Sequence, residues 1–226
     1  MTPPERVMLI YTMPPPTLVA DDKGEVLAAW HDARNGDWDV FLRASNDLGR
    51  SWGKLHRLND DALNNGRHQY LPHLSVAPNG RLDVVFYDRR RDPQNLRNDT
   101  YYTFSLDAGA SFATNLRITS QSSNSRVGQT YLVPSAKGLV EFGSRLASLS
   151  RDSGVLLAWT DTRNASGSHD QDIFAAELVF ATDGSSRAPF VAVGLLVLAT
   201  LSVAAAILRI TKGSVVPVRR RRPGAV

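Results

Sequence analysis

Ser45-Asn46-Asp47-Leu48-Gly49-Arg50-Ser51-Trp52 returns sixty positions later as Ser105-Leu106-Asp107-Ala108-Gly109-Ala110-Ser111-Phe112. Serine, aspartate, glycine, serine and a terminal aromatic keep their offsets. Each octet has the chemistry of a tight hairpin loop. The short carboxylate accepts hydrogen bonds from backbone N–H groups ahead of it. The glycine supplies a positive φ, and the aromatic packs the loop onto its sheet. One octet is a weak signal, whereas two in matching surroundings define a repeated unit.

The surroundings do match. Upstream stand Trp30-His31-Asp32-Ala33-Arg34 and Phe86-Tyr87-Asp88-Arg89-Arg90, with a third copy at Trp159-Thr160-Asp161-Thr162-Arg163. Each leads into a strand opened by aspartate: Asp39-Val40-Phe41, Asp99-Thr100-Tyr101 and Asp172-Ile173-Phe174. From the second copy to the third, every one of these positions shifts by 73 residues. A fixed offset of this size indicates repeated supersecondary units. Short strands are expected at Leu18–Ala20, Val26–Trp30, Val40–Ala44 and Leu55–Leu58, then at Leu71–Val76, Leu82–Tyr87, Tyr101–Phe104 and Leu116–Thr119. Asn35-Gly36, Pro78-Asn79-Gly80 and the octets punctuate them. The third unit has Leu178-Val179-Phe180-Ala181 where an octet is due, which marks it as degenerate or terminal. The reading is an all-β propeller of about three blades over residues 17–180, an incomplete ring.

The pattern S-x-D-x-G-x-S-[WF] resembles the Asp-box of the sialidase-like (BNR-repeat) β-propellers. Gln69-Tyr70-Leu71-Pro72, followed by Pro78-Asn79-Gly80-Arg81, is similar to the opening strand and turn of bacterial members. The resemblance implies that Ser45, Asp47, Gly49 and Trp52, with Ser105, Asp107, Gly109 and Phe112, are structural staples remote from any catalytic pocket. It also implies an exo-glycosidase acting on terminal sialic-acid-type sugars. In that case Tyr131 paired with Glu141 attacks the sugar and Asp88 serves as general acid. Arg34, Arg90, Arg145 and Arg163 then clamp the substrate carboxylate through bidentate bonds. Sialidases stand outside the usual two-carboxylate scheme. The competing reading makes each repeated Asp–Arg a structural pair tying neighbouring loops. Catalysis demands asymmetry, so the non-repeated Arg126–Tyr131 and Glu141–Arg145 are the better places to seek it. A non-catalytic glycan-binding, adhesion or scaffold propeller is the alternative function.

Ala188 to Leu208 is an uncharged and nearly wholly apolar run of 21 residues, long enough as a helix to cross the hydrocarbon core. Arg209, Lys212 and Arg219 to Arg222 follow it. The positive-inside rule then places the tail in the cytoplasm and the propeller outside, on a single-pass cell-membrane protein. The expected division is an N-terminal segment (1–16), blades (17–180), linker (181–187), transmembrane helix (188–208) and basic tail (209–226). Six of the 26 basic residues lie in the tail, leaving 20 against 22 acids before it. The net charge of +4 is therefore a topology signal, and nucleic acid is not an expected partner.

Cysteine is absent, which excludes disulfides and thiolate metal sites. No metal or other cofactor is expected: the five histidines lack ligand spacing, and Asp-rich loops such as Asp60-Asp61, which could in principle hold calcium through oxygen, read as solvated turns. Asn98-Asp99-Thr100 and Asn164-Ala165-Ser166 fit the glycosylation sequon. Residues 1–20 do not read as an export signal. Three blades cannot close a ring, so the missing ones are expected upstream in the same polypeptide or from self-association, the former being preferred.

Overall fold

The computed structural model describes residues 16–20, 24–127, 129–130, 140–141, 146–163, 171–180 and 194–196, the segments 129–130, 140–141 and 194–196 by their backbone course alone. Blade one comprises β1 (Thr17–Ala20), β2 (Val26–Asp32), β3 (Asp39–Ser45) and β4 (His56–Arg57), hydrogen-bonded in that order. Blade two repeats it with β5 (Gln69–Val76), β6 (Leu82–Asp88), β7 (Arg97–Ser105) and β8 (Leu116–Arg117), while β9 (Ser123–Asn124) pairs with β7. A short ladder of β10 (Gln129–Thr130) and β11 (Val140–Glu141) follows. Blade three holds β12 (Ala147–Arg151), β13 (Gly154–Asp161), β14 (Asp172–Val179) and β15 (Gly194–Leu196). Every pairing is antiparallel. The expected strands of the first two blades are all present, most of them extended by a residue or more.

The cores are the seams between blades. All seven residues of β6 are buried because both faces of that sheet are covered, as in strands that lack simple alternation. Val84 and Phe86 join Leu27, Ala29, Val40 and Leu42 in the seam with blade one. Val85 and Tyr87 join Leu157, Trp159, Phe174 and Leu178 in the seam with blade three. The inner strands β1, β5 and β12 lie side by side. The turns after β2, β6 and β13 therefore gather at one end, and the octets after β3 and β7 gather at the other.

Both octets close in the same way. Ser45 Oγ donates to Asp47 Oδ1 (2.7 Å) and accepts from the Gly49 N–H (2.8 Å), while Ser51 gives its N–H and hydroxyl to Asp47 (2.8 and 2.5 Å). Ser105, Asp107, Gly109 and Ser111 repeat these bonds at 2.7, 2.9, 2.8 and 2.5 Å. The serine donors, first Ser51 and Ser111, pull both aspartates down to about 2. Gly109 has φ +83°, and a Cβ there would stand 3.2 Å from Leu27 and 3.4 Å from Leu42. The second octet thus roofs the core of blade one, with Phe112 against the His56 ring. Blade three has Leu178, Val179 and Phe180 at the corresponding place. There an apolar cavity of about 230 Å³ remains among Tyr102, Phe104, Leu116, Val179 and Phe180.

Within the run 188–208, Gly194–Leu196 pairs along the outer edge of β14, an edge that otherwise presents unpaired backbone groups. The rest of the expected transmembrane helix, the segment 1–15 and the tail lie outside the described residues. Among the described residues no helix is long and apolar enough to cross a membrane. The Asn98 sequon is closed in the folded chain: Asn98 is buried and accepts from Tyr70 Oη and from Arg89 Nε (2.7 Å). Asn164 is outside the described residues.

Candidate functional site

At the end opposite the octets, the three Trp/Phe-x-Asp-x-Arg turns repeat one local device. Arg34 donates its backbone N–H and Nε to Asp32 Oδ1 (3.1 and 2.8 Å) and Nη2 to Oδ2 (2.5 Å), and lies 4.7 Å from the Phe41 ring centroid. Arg90 holds Asp88 through its N–H (2.6 Å) and Nε (2.8 Å), over Tyr101 at 4.3 Å. Arg163 holds Asp161 through its N–H (2.8 Å), Nε (2.9 Å) and Nη2, over Phe174 at 4.4 Å. Two of the three also reach the preceding blade's outer loop. Arg90 donates to Asp60 (2.5 Å), and Arg163 to Ser120 Oγ (2.9 Å). Side-chain exposure follows this reach: 42% for Arg34, 18% for Arg90 and 7% for Arg163. Burial pushes the Asp88 carboxyl up, with Arg90 pulling against it.

The sequence-derived candidates therefore divide. Asp88 and Arg90 are paired with each other, Arg163 is paired with Asp161 of its own turn, and Arg34 is paired with Asp32 but open to solvent. Glu141 lies on β11, where the backbone alone is described. Tyr131 and Arg145 lie outside the described residues.

A different group assembles at the mouth of the seam between blades one and two. The Trp38 ring stands 5.0 Å from His31 and 5.5 Å from His68, and His31 is 6.2 Å from Tyr70. Their Nδ1 atoms are acceptors, His68 for the Trp38 N–H (3.3 Å) and His31 for the Leu71 N–H (3.2 Å). Leu71 has φ +52°, at an irregularity of β5 between Tyr70 and His73. Positive φ at a leucine is strain of order 1–3 kcal/mol, and bulges with such strain collect at binding sites. Arg89 is buried behind them, donating to Asn98, to Tyr70 Oη (3.1 Å) and to Ser125 Oγ (3.1 Å). It is a neutral set of partners for a buried cation.

Beside this group the seam is rich in acceptors. Asn59 Nδ2 lies 2.7 Å from each of Asp39 Oδ1, Asp61 Oδ1 and Gln69 Oε1, so two amide protons serve three oxygens. Asp37 accepts from the Gly66 N–H (2.7 Å), but among the described residues its buried Oδ1 has no donor. Such an atom is stabilised when a hydroxyl or a water reaches it. Asp60 and Asp61 are likewise held by protein donors, Arg90 and Asn115 for the first, Arg57, Asn59 and Asn65 for the second. Among the described residues no group of three or more His, Asp or Glu is arranged to hold a metal ion.

Arg89 had a signal in the sequence: the equivalent positions are Ala33 and Thr162, so it breaks the repeat. Trp38, His68 and Leu71 had none, since their contacts cross 30 to 40 positions.

Burial pushes His68 down to about 4, aided by Arg89 and His31, and burial also lowers His73 and His56. These histidines bind fewer protons folded than unfolded. Their stabilising share is complete above about pH 6.5 and is lost as pH falls below it, for His68 down to about 4. For His68 the loss is about 2 kcal/mol after allowing for its exposed part. Thermal midpoints of the full chain in detergent should fall between pH 7 and 4.5, and His68→Gln should flatten the fall.

Four-stranded antiparallel units set side by side, with inner strands adjacent, define a fold of the β-propeller type. Among solved structures the chain is similar to an α-L-arabinanase of Penicillium chrysogenum complexed with arabinobiose (17% identity, TM-score 0.54, covering 74% of this chain and 46% of that one). It is also similar to an α-L-arabinofuranosidase of Fusarium graminearum with arabinobiose (15%, 0.51, covering 72% and 44%) and to a Hadza microbial sialidase (12%, 0.44, covering 72% and 34%). The chain spans less than half the length of these structures. No protein-family model and no curated protein sequence matches it.

Proposed function

We propose that the chain is part of a sialidase-like, Asp-box β-propeller that hydrolyses terminal sugars of glycans outside the cell. The run 188–208 anchors it in the membrane, and further blades upstream or a second copy complete the ring. The observation that carries the reading is the mouth between blades one and two, where a strained inner strand, an aromatic–imidazole cluster and a surplus of acceptors converge. That chemistry suits hydroxyl donors. It favours a neutral sugar, such as the arabinobiose bound in the arabinan-active structures, over a sialic-acid carboxylate. A carboxylate requires uncommitted guanidinium groups, and Arg90 and Arg163 are already committed to aspartates.

Glycan binding without hydrolysis is the second reading. It is favoured by the occupation of Asp39, Asp60, Asp61 and Asp88 by Arg or Asn donors. The test offers the full chain aryl α-L-arabinofuranoside and aryl α-sialoside side by side. Aglycone release from the furanoside supports the neutral-sugar hydrolase. Release from the sialoside alone overturns that preference. Retention on a glycan array with neither aglycone released supports the second reading. Anchoring has its own readout, resistance to alkaline carbonate extraction. Gly194–Leu196 cannot both pair with β14 and lie in hydrocarbon, so in the anchored protein these three residues leave the blade edge.

A further inference from the structure

We infer that the octet-bearing end of the propeller is a bilayer-contact surface that lies against the outer leaflet. The inference rests on the anchoring reading and adds to it an orientation and a set of contact residues. The first observation is strand direction. β3 and β7 run from the Asp–Arg turns to the octets, and β14 runs the same way from Asp172 to Val179. The chain therefore leaves blade three at the octet end. Ala188, where the apolar run starts, follows Phe180 by eight residues, an arm of at most about 27 Å. The tether holds this end near the membrane and turns the opposite mouth away from it.

The second observation is what that end displays. Leu48 is 68% exposed, Leu106 57%, Trp52 38% and Val179 38%. Three are octet residues, and the fourth stands where blade three lacks an octet. Leu63 and Ile173 are exposed toward the other end, away from where the chain leaves blade three. An amphipathic tryptophan flanked by leucines is the usual composition of a surface that settles at headgroup level.

Charge gives the third observation. The solvent-accessible charged residues described in these loops are Glu25, Asp47, Asp107 and Asp152 against Arg50, Lys54 and Arg151, while Arg81 of the β5–β6 turn is buried against Asp83. Both octet aspartates are turned into their own loops by serine donors. With signs nearly balanced, the contact is apolar. Neither anionic lipid nor salt should change it much.

The chain contains no cysteine, so single cysteines can be placed in the full protein without background. Asn46→Cys and Leu106→Cys report the octet end, and Arg91→Cys and Gln94→Cys report the opposite end; all four positions are exposed. Each variant is spin-labelled and reconstituted into phosphatidylcholine vesicles. Collision with oxygen, which partitions into lipid, is compared with collision with a water-soluble nickel chelate. The expected oxygen-to-nickel ratio is several-fold higher at 46 and 106 than at 91 and 94, with little change at high salt or with added anionic lipid. Equal ratios at both ends in a vesicle-bound, carbonate-resistant protein overturn the orientation while leaving the anchor intact. Release by carbonate overturns the anchor, and the orientation falls with it.

Discussion

Asp83→Ala destabilises the protein by about 3–5 kcal/mol, the expected loss when one partner of a buried ion pair is removed. Asp83 and Arg81 are both buried, with Nε–Oδ1 at 2.9 Å and Nη2–Oδ2 at 3.1 Å. The same carboxylate accepts from Tyr102 Oη and from Ser150 Oγ of blade three, each at 2.5 Å. Arg81 continues across the seam to the carbonyls of Arg151 (2.8 Å), Asp152 (3.1 Å) and Gly154 (2.9 Å) and lies 4.0 Å from the Phe180 ring centroid. Losing the carboxylate strands a cation and two hydroxyls at once. Urea unfolding of the full chain in detergent reads the effect. The Arg81→Met, Asp83→Leu double variant should lose less than the sum of its singles, because each single leaves a charge that the double removes. A loss under 1 kcal/mol for Asp83→Ala would remove this pair from the account of the seam.

The repeated arginines permit a comparison within one molecule. Arg90→Ala and Arg163→Ala should each cost about 3–5 kcal/mol, since Asp88 and Asp161 stay behind as buried charges. Arg34→Ala, at a half-open pair, should cost at most about 1 kcal/mol. If the three instead clamp a ligand, the ranking fails: stability stays close to wild type and glycan retention drops for each. Denaturation midpoints and glycan retention, measured on the same three preparations, separate these outcomes.

The strands, their order and the octet loops were legible because they depend on residues close in sequence. Ser45, Asp47, Gly49 and Ser51 satisfy one another within six positions. The pairing of Asp32 with Arg34 needs a separation of two. The continuous burial of β6 could be foreseen as imperfect alternation but not assigned to two separate seams. The mouth was less legible. Trp38 meets His68 through a backbone N–H thirty positions away, and Leu71 takes a left-handed conformation that its side chain disfavours. Arg89 stands beside the repeated Arg90 and is obscured by it, its uniqueness among the repeats being the one sign of it in the sequence. The three repeated arginines drew attention by type, and their charge partners proved to be local. Tyr131 and Arg145 lie outside the described residues, so the non-repeated half of the predicted site stands as the sequence left it.

The placement of Gly109 over Leu27 and Leu42 gives the array a polarity, as overlapping roof tiles have. Blade one is finished by a loop belonging to the blade after it. A gene that lengthened such a chain by duplication could not insert a blade anywhere with equal success. A new unit carrying an octet would cover its predecessor, while one without it, like blade three, would leave the uncovered course seen beside Phe180.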